Sequence, residues 1–161
     1  MEQDHPNRKN IRLKDYDYAG NGAYFVTVCT HERRNILWTV GASFGRPHEI
    51  SFSRIGTIID NEIRGIPTRY NNVVIKKYVI MPNHIHLIIM ISNVIDGRPE
   101  DAPTVSRIMQ QFKGAVSKKV GFPVWQKSFF DHVIRSEQEY AEVWRYIDEN
   151  PLKWQEDEYN V

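Results

Sequence analysis

The feature that most constrains this chain is an aliphatic run with two histidines inside it, residues 78–91 (Tyr-Val-Ile-Met-Pro-Asn-His-Ile-His-Leu-Ile-Ile-Met-Ile). Pro82 interrupts the run and predicts a tight turn between two antiparallel strands, the second of which begins at His84. Side chains alternate across a strand, so His84 and His86 share one face while Ile85 points to the opposite face and a core. Two imidazoles on one face can bind a metal ion, but a pair of this kind is more often simply packed or half-exposed. The rest of the chain has to decide between these two interpretations.

The chain length and the composition predict one domain with tails. A chain of 161 residues has the length of one domain, and a hydrophobic content of 41% is enough for a core. We expect a basic, flexible arm over residues 1–22, a single folded domain over 23–154 and an acidic tail over 155–161. The arm carries four cations that can either grip phosphates or stay solvated: Arg8, Lys9, Arg12 and Lys14.

Cysteine use and hydropathy indicate the compartment. Cys29 is the only cysteine, so an intrachain disulfide is impossible and a cytoplasmic protein is expected. The apolar runs are too short and too interrupted to span a bilayer, and no secretion leader is evident, so we expect no membrane partner. The net charge of +1 does not by itself predict a nucleic-acid-binding protein.

Hydrophobic periodicity predicts four strands and three helices. The strands are expected over residues 23–30, 73–81, 84–91 and 128–135, and the helices over 54–66, 104–120 and 136–150. Ser53, Thr104 and Ser136 are the expected N-caps. Pro67 and the turn Tyr70-Asn71-Asn72 are expected to end the first helix, and Pro151 the last. The order strand, helix, strand, strand, helix, strand, then one more helix, is the ferredoxin-like split βαβ plan. We therefore predict an α+β fold with helices on one face of an antiparallel sheet, and the other face free for a ligand or the last helix.

The predicted last helix contains the second informative run, residues 140–154. Within it, Tyr146 and Asn150 are four residues apart and share one helical face. A tyrosine at such a position is often an amphipathic rim residue, and asparagine is favoured at helix ends whatever the function. Neither residue alone therefore indicates a site.

The two motifs taken together resemble those of the HUH single-strand endonucleases. Met-Pro-Asn followed by His-Ile-His at His84 and His86 is similar to their His-hydrophobic-His motif, and Tyr146 in Arg-Tyr-Ile-Asp-Glu-Asn-Pro resembles their single catalytic tyrosine. Within that group the chain resembles the REP-associated tyrosine transposases, relatives of the small tyrosine transposases of bacterial insertion sequences. The resemblance extends to Gly-Ala-Tyr-Phe-Val-Thr from Gly22 and Asp-His-Val-Ile-Arg from Asp131, so it covers nearly the whole chain.

The resemblance implies a mechanism and a metal. It implies a divalent ion, Mg²⁺ or Mn²⁺, on His84 and His86, with Asn150 completing the site and Asp148 and Glu149 as nearby oxygen donors. The sequence leaves open whether Asn150 or a neighbouring carboxylate is the third ligand. Tyr146 is implied to be the nucleophile that forms a 5′-phosphotyrosine link to DNA and frees a 3′-hydroxyl.

The implied partner is single-stranded DNA folded into hairpins, either REP-like or transposon-end palindromes. Reading a hairpin by shape needs cations for the phosphates and aromatic side chains for unpaired bases. Besides the four cations of the arm, candidates are those on the predicted second long helix: Lys113, Lys118 and Lys119. The aromatic candidates are Trp125, Phe129 and Phe130, although aromatic residues there are more often part of a core.

Other interpretations stay open. One is a module that holds hairpin DNA without cutting it, and another is a ferredoxin-like domain that binds RNA. A third is a replication initiator or relaxase, which shares the chemistry but is usually larger. The sequence does not decide between a monomer, which we favour, and a dimer. His132 matches a position of the resemblance, and we expect a structural role for it, bonding the sheet or the last helix.

Overall fold

The structure, a computed structural model, describes residues 22–39, 51–92 and 103–160. The strands are β1 (Gly22–Cys29), β2 (Val73–Ile80), β3 (His84–Ile91) and β4 (Phe130–Ile134). The α-helices are α1 (Arg54–Arg69), α2 (Val105–Val120) and α3 (Glu137–Glu149), and a 3₁₀ segment (Asn150–Glu156) follows α3 directly. The four cations of the predicted N-terminal arm lie outside the described residues.

The four strands form one antiparallel sheet in the order β2-β3-β1-β4. With α1 between β1 and β2 and α2 between β3 and β4, this is the ferredoxin-like arrangement, so the predicted fold class is confirmed. The register places Thr27 of β1 opposite His86 of β3, and Cys29 opposite His84. The histidine pair therefore lies on a central strand, where pairing on both edges keeps the backbone fixed.

The two faces of the sheet bury different helices. One face forms the main core with α1 and α2, in which the largest buried side chains include Tyr24, Leu87, Ile59, Ile63 and Phe112. The other face packs against α3 through a smaller apolar cluster built on Ile88, Ile134 and Ile147. Because strand side chains alternate, the histidines share this second face, and α3 is the element that lies over them.

The caps of α3 fix its direction across the sheet. The Ser136 hydroxyl accepts a hydrogen bond from Glu139 N at 3.1 Å, as the sequence predicts for a capping residue. The Glu139 carboxylate in turn accepts from Arg135 N at 3.1 Å and pairs with His132 Nε2 on β4. His132 thus bonds the last helix to the sheet, which confirms the structural role expected for it.

The prediction that Pro67 ends α1 was wrong by one turn. The helix continues to Arg69 with Pro67 inside it. Pro67 lacks a backbone N–H and so removes one helical hydrogen bond, but the helix does not stop there. The Thr68 hydroxyl donates to the Gly65 carbonyl oxygen at 2.6 Å, which supplies a partner to one of the carbonyls near the helix end.

Gly56 sits where α1 approaches the segment after β1, and a matched pair of substitutions tests this contact. A Cβ at Gly56 would clash with the Leu37 carbonyl oxygen and lie 3.0 Å from Phe52 Cβ, whereas a Cβ at Gly65 would meet nothing within 4 Å. We expect Gly56→Ala to cost about 1–3 kcal/mol of unfolding free energy, or more, because backbone has to move. Gly65→Ala should instead stabilise by about 0.5–1 kcal/mol. Urea unfolding of both variants checks this, and equal effects at the two positions would contradict the packing described.

No helix within the described ranges is long and apolar enough to cross a lipid bilayer.

Candidate active site

The two histidines of β3 are fully enclosed and held by hydrogen bonds. His84 is 0% exposed and His86 is 1% exposed, with their ring centroids 4.6 Å apart. Nδ1 of His86 lies 2.7 Å from the Thr27 hydroxyl, and Nδ1 of His84 lies 2.8 Å from Asn83 Oδ1. Each ring is therefore oriented through Nδ1, which leaves both Nε2 atoms turned into the site.

The partners of Asn83 determine which nitrogen of His84 carries the proton. Asn83 Nδ2 donates to the carbonyl oxygens of Tyr159 at 2.6 Å and of Arg33 at 3.3 Å, so its Oδ1 is the atom that faces His84. An amide oxygen only accepts, so His84 Nδ1 must be the donor. His84 Nε2 consequently bears a lone pair.

Both imidazoles are held neutral. Burial lowers the pKa of His84 to about 3, against a smaller opposing effect of the Asn150 side chain. Burial, with a contribution from His84, lowers the pKa of His86 well below its ordinary value. A neutral imidazole is the form that binds metal ions, so neither ring carries a positive charge that would repel a cation at neutral pH.

Tyr146 and Asn150 reach the histidines from α3 and its end. The Tyr146 ring lies 5.2 Å from the His86 ring and 6.0 Å from the Phe25 ring, yet Tyr146 is 41% exposed. Asn150 is only 4% exposed and begins the 3₁₀ segment. Tyr146 and Asn150, which were predicted to share one helical face, thus differ in exposure. The Tyr146 side chain is open to solvent, and the Asn150 carboxamide is buried.

The phenol of Tyr146 holds its proton firmly. Burial, together with the negative charges of Asp157 and Glu158, raises the pKa of Tyr146 to about 12, and the Asn150 side chain opposes this in part. The hydroxyl is therefore neutral at physiological pH.

The C-terminal segment folds back over the histidines. The Tyr159 ring lies 4.4 Å from the His84 ring, and the Arg33 guanidinium lies 5.6 Å from the centre of the Tyr159 ring. Asp157 Oδ2 lies 3.8 Å from His84 Nε2, with the Asp157 side chain 3% exposed. Sequence analysis predicted this region to be an acidic tail beginning at residue 155. That domain boundary stays a prediction, but these two side chains lie against the site.

Four buried atoms around this site lack a hydrogen-bond partner among the described residues: His84 Nε2, His86 Nε2, Asn150 Oδ1 and Asp157 Oδ2. We call them the acceptor cluster. The lone pair on His84 Nε2 and the two side-chain oxygens are electron-rich, and gathering such atoms away from water is unfavourable without a donor or a cation. The mixed nitrogen and oxygen set suits a divalent cation such as Mg²⁺ or Mn²⁺. No three His, Cys, Asp or Glu side chains in the described ranges form a metal site by themselves, and the Asn150 carboxamide oxygen is one of the buried atoms without a partner beside the histidines.

An aromatic groove opens beside the acceptor cluster. Its volume is about 530 Å³, and its aromatic lining consists of Phe25, Phe130, Tyr146, Tyr159 and His86. Phe130 was one of the predicted base-stacking residues, and the structure places it here. The other two are elsewhere, since Trp125 is buried and Phe129 packs against the main core.

Comparison with known proteins places the chain in a family. An uncharacterized protein of Haemophilus influenzae (strain Rd) is 30% identical over 175 aligned positions, which cover 96% of this chain and 93% of that protein. The chain belongs to the same family as this Haemophilus protein. No protein-family model matches the chain.

Among solved structures, a REP-associated tyrosine transposase bound to a REP hairpin superposes with a TM-score of 0.65 at 22% identity, over 89% of this chain and 73% of its own. The fold of this family member is therefore the transposase-like one that the sequence motifs predicted. The crystal structure of a putative transposase from Deinococcus radiodurans superposes with a TM-score of only 0.47 at 18% identity, over 85% of this chain and 96% of its own.

The cations predicted to bind DNA from α2 lie away from the acceptor cluster. They belong to a helix that packs on the opposite face of the sheet. Lys113 Nζ donates to the Gln126 carbonyl oxygen at 2.6 Å, and Lys119 Nζ pairs with Glu62 on α1. The structure does not bring Lys113, Lys118 or Lys119 to the site, and their role in DNA binding stays a prediction.

Glu62 makes a testable contribution to stability through this pairing. It is 3% exposed; burial alone would raise the pKa of Glu62, but hydrogen bonds from Lys119 and from Arg69 (2.8 Å) lower it below its ordinary value. A carboxylate with a lowered pKa stabilises the fold above its unfolded pKa and loses this effect as pH falls through the folded one. Both cations are partly solvated, so Glu62→Gln should cost only roughly 1–2 kcal/mol at pH 7.

The pH dependence separates charge from packing at Glu62. The difference in unfolding free energy between wild type and Glu62→Gln should shrink as pH falls from the unfolded pKa of glutamate, about 4.3, through the lower pKa of the folded carboxylate. Urea unfolding at pH 7 and pH 3 measures both values. A difference that is the same at both pH values would contradict the pairing.

Sequence reasoning missed several residues of the site. Asn83, which follows Pro82 at the turn, orients His84. Thr27 and Phe25 lie on the histidine face of β1, and side-chain alternation along a strand paired with β3 was the signal that could have linked them to the histidines. No local pattern indicated Asp157 or Tyr159, because their position depends on how the 3₁₀ segment returns the chain across the sheet.

Proposed function

We propose that this protein is a metal-dependent endonuclease and strand transferase, a transposase of the HUH type, that acts on single-stranded DNA at hairpins through a 5′-phosphotyrosine intermediate. The observation that carries the proposal is the position of Tyr146, whose exposed ring lies 5.2 Å from a buried histidine belonging to the acceptor cluster. This supports Tyr146 as a nucleophile that DNA can reach, because its exposed ring lies beside buried groups suited to a cation.

We propose His84, His86 and Asn150 as the residues that hold the metal ion, Mg²⁺ or Mn²⁺. Their free Nε2 and Oδ1 atoms support this assignment. The hydrogen bonds to Thr27 and Asn83 support it as well, because ligating histidines are usually oriented through their other ring nitrogen. A divalent cation bound there supplies positive charge that stabilises the negative charge developing on the scissile phosphate.

Tyr146 Oη attacks the phosphorus in line with the bond to the departing 3′ oxygen. The Oη–P bond forms as the P–O3′ bond breaks, so the DNA 5′-phosphate stays on the tyrosine and a 3′-hydroxyl is freed. The Oη proton is released in this step and the departing 3′ oxygen gains a proton, so the step leaves the proton count unchanged. Attack by another 3′-hydroxyl reverses the step and joins strands.

The proposed substrate is a DNA hairpin of the REP-like or transposon-end type with unpaired nucleotides beside it. The solved transposase with the same fold was bound to a REP hairpin, which supports this substrate class. The aromatic groove beside Tyr146 also supports it, because unpaired bases stack on aromatic side chains. An RNA-binding domain of the open-sheet type is less consistent with this chain, because α3 covers the face on which such domains display their aromatics.

The reaction is tested with labelled single-stranded hairpin DNA taken from the sequence that flanks the gene. We expect a DNA–protein adduct that survives denaturation, forms with Mn²⁺ or Mg²⁺ and disappears with chelator. Binding without any adduct, on several hairpins and with either metal, would establish the non-cleaving module instead. If the protein neither binds the hairpins nor forms an adduct, the DNA-processing proposal is removed altogether.

A further inference from the structure

We propose that Asp157 is an additional ligand of the metal ion, supplied by the C-terminal segment. This inference rests on the proposed function in one respect, namely that His84 and His86 hold a divalent cation. It adds a carboxylate to a set that otherwise contains only neutral donors.

The two oxygens of Asp157 have different surroundings. Oδ1 accepts a hydrogen bond from Tyr159 N at 2.8 Å, which fixes the orientation of the carboxylate. Oδ2 has no hydrogen-bond partner among the described residues, although the side chain is only 3% exposed. A buried carboxylate oxygen without a partner is unfavourable, so its position needs a positive or donating group that binds there.

His84 Nε2 faces Oδ2 but is the wrong group for a hydrogen bond to it. His84 Nε2 lies 3.8 Å away and carries a lone pair, because its Nδ1 is the donor to Asn83. A shared proton would draw the two atoms to about 2.7–3.2 Å. Two donor atoms that lie about 2.1 Å from one cation are instead about 3–4 Å apart, depending on the angle between them. The separation of 3.8 Å therefore fits two ligands of one ion better than a hydrogen bond.

The C-terminal segment holds Asp157 in place before any metal binds. Trp154 is 3% exposed, with its ring 6.4 Å from that of Trp38. Its carbonyl oxygen accepts from Asp157 N at 3.1 Å and from Asn160 Nδ2 at 3.2 Å. The carboxylate is thus positioned by a packed tryptophan on one side and by the Tyr159 carbonyl, bonded to Asn83, on the other.

Asp157 is the charged member of the proposed ligand set. The two imidazoles and the Asn150 carboxamide are neutral, so Asp157 contributes the negative charge of the proposed ligand set. Oxygen ligands, and carboxylates above all, favour Mg²⁺ and Mn²⁺.

The test is Mn²⁺ binding by calorimetry to the full chain, comparing wild type with Asp157→Asn and with the neighbouring, exposed Glu158→Gln as control. We expect Asp157→Asn to weaken Mn²⁺ affinity at least about tenfold, since changes even to groups that only orient a ligand cost about 10- to 100-fold. Glu158→Gln should stay within about twofold of wild type. Asp157→Ser, which keeps an acceptor for Tyr159 N, serves as a second variant if the first does not fold.

Thermal unfolding of the metal-free protein distinguishes a metal ligand from a residue that only stabilises the fold. The new amide of Asp157→Asn can keep the bond to Tyr159 N and point its NH₂ at the His84 Nε2 lone pair. The metal-free variant should therefore melt at or above the wild-type temperature, while the Mn²⁺-induced rise in melting temperature is largely lost. A structural role predicts a lower melting temperature with and without metal, and that result would overturn the proposal.

The outcomes distinguish this inference from the proposed function. If wild type binds Mn²⁺ and Asp157→Asn binds it equally well, Asp157 is not a ligand and the proposed function is untouched. If wild type binds no Mn²⁺ at all, the metal-dependent function and this inference fail together.

Discussion

Tyr146→Phe is expected to abolish the DNA–protein adduct and strand cleavage completely while leaving hairpin affinity within about threefold of wild type. Removal of one hydroxyl deletes the attacking atom, and no covalent link can form without it. The ring, which lies against Phe25 and His86, is unchanged by the substitution, so the packing of α3 is preserved. Denaturing gels and filter binding on the same labelled hairpin measure the two quantities.

Tyr140→Phe is the matched control for this variant. Tyr140 lies on α3 near the packed cluster and stacks 6.0 Å from Trp144. It does not line the groove beside the acceptor cluster. It should therefore retain wild-type cleavage. An undiminished adduct in Tyr146→Phe would show that another residue is the nucleophile and would remove the proposed mechanism.

The second large effect is expected for His86→Gln, which should lower both Mn²⁺ affinity and cleavage by at least about 100-fold. Glutamine is close to histidine in size and can still bond the Thr27 hydroxyl, so the change acts on the ligating nitrogen more than on packing. Hairpin binding should fall much less than cleavage, because the groove and its aromatic walls remain.

His132→Gln tests whether such a loss is caused only by a weakened fold. This histidine lies on β4 and bonds Glu139 at the start of α3, so its replacement loosens the same helix without touching the acceptor cluster. It should reduce stability modestly and keep cleavage within a few-fold of wild type. Equal losses of Mn²⁺ affinity in both variants would mean that His86 acts through the fold and not as a ligand.

The fold could be predicted because local patterns and tertiary packing agree in this chain. The two apolar strands around Pro82, the caps at Thr104 and Ser136 and the apolar stripe of α2 each specify an element, and the structure contains all of them. Their order then leaves few topologies for a single sheet. The error at Pro67 arose because loss of one backbone donor weakens a helix without necessarily ending it, and α1 continues to Arg69.

The site was less predictable, because its parts meet only after folding. Alternation along β3 placed His84 and His86 on one face, and helical spacing linked Tyr146 to Asn150. Two further features depend on tertiary packing and leave no local signal in the sequence. The helix α3 crosses this same face, and the chain after it returns to bring Asp157 to His84. Charged residues near a chain end usually stay solvated, so nothing local distinguishes Asp157 from Glu156 or Glu158.

The most direct test of the account is mass spectrometry of the DNA–protein adduct after digestion with nuclease and trypsin. Cleavage after Arg145 and Lys153 releases residues 146–153, in which Tyr146 is the only tyrosine. The account predicts a nucleotide joined through its 5′-phosphate to this peptide, with fragmentation locating it on Tyr146. A nucleotide on any other residue, such as Tyr159 in the following peptide, would contradict the assigned nucleophile and the geometry on which the function is proposed.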